Sequence, residues 1–513
     1  MCAHRELPTS TDAAPPRQEA GSLRESRSAA IVFAVILMVA AALLLWAAGS
    51  ISWTWDEQVD MAIVDCLEAS HNPFDCTSDI EQTRLPFYVH AAAATIAPWE
   101  GVHYAISAFF GLVNVVLVFV LARSRFGLHT AFVAMALAAT TPTLLASGRM
   151  LLSHSNVMLT TFTLVAVVAY DRFDRRADRR FFWLSAAALG LAVASSVLGL
   201  LTALVIAGYW LTAGQRRELR EPVAYAAVAG AAFLLSTLIY LQPRNLATFV
   251  NALLHTYRFP EWNYMGLASN EAPRWFSPLL FVVKLGPWWA ALFAVAPLVL
   301  RRSAVGDGGR RCALAIWGGF LAYLVVKSGV LRYDAPHQQV AWYPLVLVVV
   351  AATATELVRR AGAARSLVLT AMTLFAALHL YDTHRFFPNY LFHGVQYGSS
   401  LIGEFYGPAV FHAQDRTDID DRLDAIVAAD PTVRILMADN NAFQRDGANF
   451  VPFTGRDPGA TYSFAVVDRL YSSHFAFPER EEYNAFLARN YLVVHSHNFP
   501  GDEWAYRILR SAS

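Results

Sequence analysis

Charged side chains are scarce in this chain of 513 residues, at 16% of the total, whereas soluble domains carry about 25%. Lysine is the rarest charged residue. The chain has two lysines, Lys284 and Lys327, and all its other Lys/Arg positions are Arg. Basic and acidic residues balance to a net charge of zero. A neutral chain gives no electrostatic reason to expect a nucleic-acid partner.

Several catalytic motifs are also missing. The 15 His residues show no HExxH or other metal-ligand spacing, so we expect no metal site. The sequence has no GxxxxGK[ST] phosphate loop and no GxSxG elbow, which removes support for ATP-driven transport and for serine hydrolysis. We therefore expect no cofactor.

Hydrophobic residues make up 56% of the chain and are gathered into runs of about twenty with little or no charge, the length that crosses a bilayer. The first run, 29–49, is too long for a signal peptide. The apolar segment Leu85–Pro98 is shorter and predicts a helix on the membrane surface. The remaining runs bring the predicted number of spans to eleven: 102–122, 128–147, 156–170, 181–196, 197–213, 223–241, 278–300, 312–331, 337–355 and 366–381.

Arginine placement gives the topology. With eleven spans, every arginine-rich connection falls on one side, and the intervening connections hold isolated cations only. The positive-inside rule places the arginine-rich side in the cytoplasm, with the N-terminus inside and the C-terminus outside. The sequence thus predicts a multi-pass protein of the inner or plasma membrane. The basic sets are Arg5/Arg17/Arg24/Arg27, Arg123/Arg125, Arg172/Arg175/Arg176/Arg179/Arg180, Arg216/Arg217/Arg220, Arg301/Arg302/Arg310/Arg311 and Arg359/Arg360/Arg365.

Three regions are expected in a mainly α chain. Residues 1–28 are rich in Ser, Pro, Arg and Glu, a composition typical of disorder. Residues 29–382 form the membrane domain, with long outward loops at 50–101 and 242–278. Residues 383–513 read as a small extracytoplasmic α/β domain, with helices at Ile419–Ala429 and Pro478–Asn490 and strands at Val433–Ala438, Ser463–Asp468 and Tyr491–Ser496.

The first outward loop holds the main candidates for chemistry. Asp56 and Glu57 follow the first span between indoles, where partial desolvation can prepare a carboxylate as a general base. The alternative is an interfacial aromatic belt beside solvated acids. Cys66 and Cys76 share this loop, and an oxidising compartment favours a disulfide between them over two free thiols.

The two lysines are candidates for phosphate contacts at the outer ends of their spans. For Lys327 this interpretation and simple snorkelling to the headgroups have equal weight, whereas for Lys284 we expect snorkelling. The second long outward loop, with His255, Arg258 and Glu261 among aromatic residues, suits sugar and phosphate contacts.

These residues together resemble the GT-C superfamily of membrane glycosyltransferases, in the branch of the protein O-mannosyltransferases and the lipid A aminoarabinose transferases (ArnT-like). The order of the motifs and their predicted sides carry the resemblance over most of the chain. The matching segments are Trp55-Asp56-Glu57, Arg84-Leu85-Pro86-Phe87-Tyr88, Gly148-Arg149 with Leu159–Phe162, Asn263–Leu267 with Ala272–Phe276 and Lys284, and Lys327 to Pro344 through Arg332-Tyr333 and Pro336.

The resemblance implies inverting, metal-independent transfer of a sugar from a polyprenyl-phosphate donor in the membrane lipid to a protein, lipid or glycan acceptor in the cell envelope. Asp56 would be the base and Glu57 would orient sugar or acceptor. Many relatives carry an Asp where this chain has Ser153–Asn156, so His154 is at most a substitute there. The implied substrate or lipid-phosphate contacts are Arg84, Arg149, His154, His255, Arg258, Glu261, Lys327, Arg332 and Tyr333.

Two other classes of function compete with this one. A transporter or flippase would place acids or Gly/Pro breaks near mid-bilayer in repeated halves, and no repeat is visible. A non-catalytic membrane anchor that displays the C-terminal part as a binding module would tolerate replacement of Asp56.

Overall fold

The structure is a computed structural model that describes most of the membrane domain and parts of the C-terminal region. The described residues are 19–46, 55–76, 83–99, 101–149, 156–212, 220–256, 263–264, 267–268, 274–301, 306–331, 339–385, 417–437, 448–453, 455–457, 460–468, 480–498 and 504–512.

The chain is mainly α-helical up to residue 385, as the hydropathy pattern predicts. Short 3₁₀ turns follow several helices, and a π-helical turn covers Lys327–Leu331. The helices are α1 (Glu19–Leu45), α2 (Trp55–Ser70), α3 (Leu85–Ile96), α4 (Val102–Phe126), α5 (Leu128–Thr140), α6 (Pro142–Ser147), α7 (Val157–Arg176), α8 (Arg179–Ser195), α9 (Thr202–Thr212), α10 (Arg220–Ser236), α11 (Pro243–Thr256), α12 (Phe276–Leu285), α13 (Pro287–Arg301), α14 (Asp307–Val326), α15 (Tyr343–Arg360) and α16 (Arg365–Arg385).

Five described helices are long and apolar enough to cross a membrane, or six if α12 and α13 count as one broken span. A multi-pass membrane protein is therefore confirmed, while the count of eleven stays a prediction. The run 278–300 is not the single continuous helix expected, because α12 and α13 meet at an angle of 111°. Gly286, at φ 96°, and Pro287 form the corner, where proline cannot continue the hydrogen-bond ladder.

Two other boundaries of the predicted spans differ from the structure. The run 128–147 is divided into α5 and α6 at Thr141, immediately before Pro142. The helix of the first span begins at Glu19, ahead of the run predicted to start at residue 29; the added residues extend the ladder of the adjoining apolar helix, which costs no new nucleation. The expected break at Ser195-Ser196 is present, and Leu85–Ile96 forms the short helix expected at 85–98.

Helix α15 lies at the centre of the membrane domain, with the side chains from Tyr343 to Ala354 almost entirely buried. It packs against α4, α5, α13 and α14. A helix that is apolar all round suits such a position, whereas α1 and α16 leave most of their apolar side chains on the outside of the protein.

The ends predicted to be cytoplasmic meet on one face of the bundle. Arg125 at the end of α4 is paired with Asp171 and Asp174 at the end of α7, and Arg311 at the start of α14 reaches Asp174 at 3.4 Å. At the opposite end, Thr383 of α16 donates a hydrogen bond to the carbonyl oxygen of Thr140 at 2.6 Å. Three of the arginine-rich connections thus lie together on one face of the bundle.

The C-terminal region contains a five-stranded mixed sheet in the order β4-β3-β5-β7-β6. Strand β3 pairs in parallel with β4 and β5, while β7 runs antiparallel to β5 and β6. The sequence predicted β3, β5, β6 and both helices but missed β4 and β7. The elements are α17 (Thr417–Ala429), β3 (Ile435–Met437), β4 (Phe450–Pro452), β5 (Phe464–Asp468), α18 (Arg480–Asn490), β6 (Tyr491–Asn498) and β7 (Trp504–Ser511), after a short hairpin of β1 (Asn263–Tyr264) and β2 (Leu267–Ala268).

Candidate active site

The first outward loop folds as a small unit of its own around α2 and α3. Apolar side chains of both helices form a shared core, in which Ile63, Val64 and Phe87 are almost completely buried. A disulfide joins Cys66 of α2 to Cys76, with 6.0 Å between the Cα atoms. This unit holds α2 and therefore the acidic residues at its start.

Asp56 and Glu57 occupy the first turn of α2, which begins at Trp55. The structure describes the backbone of these two residues but not their side chains. Carboxylates are favoured in the first turn of a helix because the unpaired N–H groups there carry partial positive charge. Asp60 lies one turn further on the same side as Asp56, and its side chain is buried. Its i, i+4 spacing from Asp56 was visible in the sequence, but our sequence interpretation left Asp60 out.

Arg84 lies at the N-cap of α3 and is only 1% exposed. Its guanidinium is 5.6 Å from the ring centre of Phe87 and interacts with the hydroxyls of Tyr88 and Tyr240. The Tyr88 hydroxyl in turn accepts a hydrogen bond from the backbone N–H of Ile239 at 3.4 Å. Arg84 is thus held between the outward loop and the outer end of the span formed by α10.

Arg149 follows α6 and is completely buried. One of its terminal nitrogens, Nη1, donates hydrogen bonds to the carbonyl oxygens of Leu43 at 3.0 Å and Trp46 at 2.6 Å. These carbonyls belong to the last turn of the first span. Arg149 therefore contacts the backbone that leads towards Asp56.

Lys284 is 1% exposed and lies in the last turn of α12, just before the corner at Gly286. The expectation that it snorkels to the headgroups is wrong, because the chain turns at Gly286 and α12 packs inside the protein instead of ending at its rim. The carbonyl oxygen of Lys284 accepts a hydrogen bond from Thr143 of α6 at 3.3 Å.

Lys327 begins the π-helical turn after α14 and is 2% exposed. Helix α12 packs against this turn, so the only two lysines of the chain lie on neighbouring elements. Gln339 connects α12 to α15. Its side-chain nitrogen Nε2 donates a hydrogen bond to the carbonyl oxygen of Ser277 at 3.0 Å, and its Oε1 accepts one from the Tyr343 hydroxyl at 2.9 Å.

The remaining predicted contacts lie at positions whose side chains the structure does not describe. His255 lies in α11, of which only the backbone is described at that point. His154, Arg258, Glu261, Arg332 and Tyr333 lie outside the described residues. Within the described part of the chain, no group of three or more His, Cys, Asp or Glu is arranged to hold a metal ion.

Four cations near helix ends predicted to face outward are therefore buried: Arg84, Arg149, Lys284 and Lys327. By contrast, Arg244 and Arg274 in the same outward connections are exposed. A cation held in a low-dielectric interior attracts an anion more strongly than one in water. Arg84, Lys284 and Lys327 are therefore suited to an anionic headgroup such as a phosphate, whereas Arg149 already donates to backbone carbonyls.

Comparison with known proteins agrees with this architecture. Residues 85–240 match the family described as dolichyl-phosphate-mannose-protein mannosyltransferase. That segment begins directly after Arg84, contains α3 to α10 and includes Arg149. No curated protein sequence matches the chain closely enough to count as a relative.

Solved structures extend the likeness to nearly the whole chain. ArnT from Cupriavidus metallidurans, in a crystal structure bound to undecaprenyl phosphate, superposes with a TM-score of 0.59 at 16% identity and covers 94% of this chain and 98% of its own. The apo form of the same ArnT gives the same TM-score and identity, over 95% and 98%. An oligosaccharyltransferase from Archaeoglobus fulgidus aligns at a TM-score of 0.48 and 14% identity, over 94% of this chain and 74% of its own.

The chain is a multi-pass membrane protein with the fold of ArnT. It resembles ArnT and the protein O-mannosyltransferases, the branch that the sequence motifs indicate.

Proposed function

We propose that this protein is a membrane glycosyltransferase that moves a sugar from a polyprenyl-phosphate donor to an acceptor on the extracytoplasmic face. The single observation that carries the proposal is the burial of Arg84 at the N-cap of α3, because α3 packs against α2, whose first turn holds Asp56 and Glu57. The fold it shares with ArnT, crystallised with undecaprenyl phosphate, supports a donor of this kind.

In the proposed reaction, the Asp56 carboxylate accepts the proton of an acceptor hydroxyl or amine. The freed electron pair attacks the anomeric carbon, and the bond from that carbon to the phosphate oxygen breaks with inversion. The lipid phosphate leaves with the bonding electrons. Glu57 orients the sugar or the acceptor, and base catalysis of this type contributes typically about 10²–10⁴-fold.

The cations stabilise the departing phosphate. Of the sequence-predicted cations, Arg84, Arg149 and Lys327 are buried. Arg84 and Lys327, with Arg258 and Arg332, are proposed for this contact, because Arg149 donates to backbone carbonyls. Fixed positive charge in a water-poor site stabilises developing negative charge with little reorganisation, so we propose that the reaction needs no metal and no cofactor. His154, His255, Glu261 and Tyr333 are proposed as polar contacts to sugar or acceptor.

The reaction requires that the site faces away from the cytoplasm. We propose the inner or plasma membrane as the location, with the N-terminus inside and the C-terminus outside, in line with the arginine distribution. The C-terminal α/β region then lies on the same side as Asp56 and Glu57. Nucleotide sugars are confined to the cytoplasm, which makes a lipid-borne donor the suitable one on this face.

The test is turnover of synthetic undecaprenyl-phosphate sugars by the purified full chain in detergent, measured as release of undecaprenyl phosphate in the presence of cell-envelope acceptors. Asp56→Asn keeps the shape of the side chain and removes its basicity, so the rate should fall about 10²–10⁴-fold. Asp65→Asn is the matched control, because Asp65 lies on the same helix and is exposed.

EDTA should leave the wild-type rate unchanged. Loss of activity in EDTA would reveal a required metal, and an Asp56→Asn enzyme as fast as the control would remove Asp56 as the base. Arg84→Gln and Lys327→Gln should instead weaken binding of undecaprenyl phosphate, because each removes a positive charge.

One observation favours a rival function. The corner at Gly286 divides a span into two helices with the buried Lys284 beside it, and broken spans with a buried charge are typical of transporters. A flippase would move undecaprenyl-phosphate sugar across proteoliposomes without cleaving it. Translocation of intact donor without release of undecaprenyl phosphate would support that rival.

A further inference from the structure

The outer end of the first span is held by two independent sets of contacts. Leu44, 2% exposed, lies in a socket between two glycines of neighbouring helices, Gly111 of α4 and Gly148 after α6. A Cβ added at Gly148 would lie 2.6 Å from Leu44 Cδ2, and one added at Gly111 would lie 3.1 Å from Leu44 Cδ1. The Leu44 side chain therefore fits closely between the two helices because Gly111 and Gly148 have no side chains.

Arg149 closes this socket from the side of α6. Its Nη1 donates to the Leu43 and Trp46 carbonyl oxygens, which flank Leu44 in the chain. The last carbonyls of a helix have no partner within it and carry partial negative charge. A buried guanidinium satisfies these acceptors and complements the dipole, so the contact caps the span as well as fixing its position.

We infer that Arg149 is a positioning residue, which fixes the end of the first span that leads to Asp56, and not a ligand of the lipid phosphate. This inference rests on the proposed function for its kinetic consequence. The sequence grouped Arg149 with the phosphate contacts, yet its guanidinium is turned towards backbone carbonyls 103 and 106 residues earlier in the chain.

The position of the span end matters because only eight residues, 47–54, separate Trp46 from the start of α2. Helix α2 is itself anchored to α3 through their shared core. Our inference is that the position of the span end sets how the chain enters the first turn of α2, where Asp56 lies. Misplacement of a catalytic group by about 1 Å can cost 10²-fold in rate.

The experiment compares Arg149→Ala, Arg149→Gln and Arg84→Gln in the full-length protein, with the exposed Arg244→Ala as the matched control. For Arg149→Ala we expect kcat to fall about 10–100-fold, while the Kd for undecaprenyl phosphate changes by less than about twofold. Arg149→Gln is neutral but keeps N–H donors, so it should recover part of kcat. Arg84→Gln should show the opposite pattern, a raised Kd.

A second measurement does not depend on activity. Hydrogen–deuterium exchange of peptides covering residues 40–60 should be faster by about tenfold in Arg149→Ala, because the capped end opens more readily, and unchanged in Arg244→Ala. Unchanged exchange in Arg149→Ala, or a Kd for undecaprenyl phosphate raised tenfold or more without faster exchange, would overturn the inference. If the wild type neither binds nor cleaves any lipid donor, the proposed function fails while the exchange data still decide whether Arg149 holds the span.

A socket variant covers the case in which Arg149→Ala does not fold. Gly148→Ala places a methyl group against Leu44 and should speed exchange in the same peptides, and Leu44→Ala in addition should relieve the clash and slow it again. Gly230→Ala is the control, because a Cβ there meets nothing within 4 Å. Equal exchange in Gly148→Ala and Gly230→Ala would also count against the socket.

Discussion

The Nδ1 atoms of His90 and His103 lie 3.1 Å apart, with the two imidazole rings stacked at 5.3 Å between centroids. At this distance the two nitrogens form a hydrogen bond, in which one nitrogen donates and the other accepts. His90 belongs to α3 and is 1% exposed, while His103 begins α4. The pair therefore joins the outward loop to a membrane span through one proton shared by the two Nδ1 atoms. A second proton, on the accepting Nδ1, would face the first and find no acceptor between the rings.

The pair predicts loss of stability in acid. Burial lowers the pKa of His90 from 6.5 to about 3, and the neighbouring His103 adds to the effect. Between these values the unfolded chain binds a proton at His90 that the folded chain does not, so stability falls as the pH drops below 6.5. The expected loss between pH 7 and pH 5 is about 2 kcal/mol, measured as the fall in melting temperature of the purified protein in detergent.

The histidine that carries this effect can be identified by substitution. His90→Gln keeps a hydrogen-bonding partner for His103 but does not titrate, so its melting temperature should depend less on pH. The exposed His129, replaced by Gln, should leave the wild-type slope intact. An unchanged slope in His90→Gln would assign the acid sensitivity to other groups.

The buried ion cluster at the predicted cytoplasmic face should be a main support of the helix bundle. Asp171 is paired with Arg125 and accepts a hydrogen bond from the Tyr209 hydroxyl at 3.1 Å, and all three side chains are buried. Because Asp171→Ala leaves a buried guanidinium without this partner, we expect a loss of about 3–5 kcal/mol.

Thermal unfolding in detergent measures this loss. Asp307→Ala is the control, since its pair with Arg310 is exposed and should contribute at most about 1 kcal/mol. Equal melting temperatures for the two variants would show that the buried cluster stabilises the protein no more than the exposed pair does.

Topology can be tested with reporter fusions. A reporter after Ser513 should be active outside the cytoplasm, and reporters at Arg176 and Arg310 should be active inside it, because arginine-rich connections remain in the cytoplasm. A cytoplasmic C-terminus would move Asp56 and Glu57 away from a lipid-sugar donor on the outer face and would remove the proposed site.

The disulfide predicts how the four cysteines react. In denatured, unreduced protein, a maleimide-linked polymer should modify Cys2 and Cys312 only, and reduction should raise the number of modified thiols to four. Cys66→Ser with Cys76→Ser is the control and should give two modified thiols under both conditions. Four modified thiols without reductant would contradict a bridge between Cys66 and Cys76.

The sequence alone placed most of the helices. In a bilayer each backbone N–H and C=O must be satisfied within its own helix, so the apolar runs coincide with helices such as α4 and α7 to within a few residues. The same reasoning identified α3 as too short to span, and short apolar runs located β5 and β6. The GT-C resemblance was also visible, because the order of short motifs along the chain does not depend on how the chain packs.

The tertiary structure decided which side chains meet. Hydropathy gives the length of a run but not its direction, so the corner at Gly286 and the burial of Lys284 beside it could not be predicted from the sequence. The contact of Arg149 with Leu43 and Trp46 bridges more than a hundred residues, and no local pattern encodes it. Such contacts depend on which helix faces pack together, and in this chain small residues such as Gly111 and Gly148 allow the close approach that creates them.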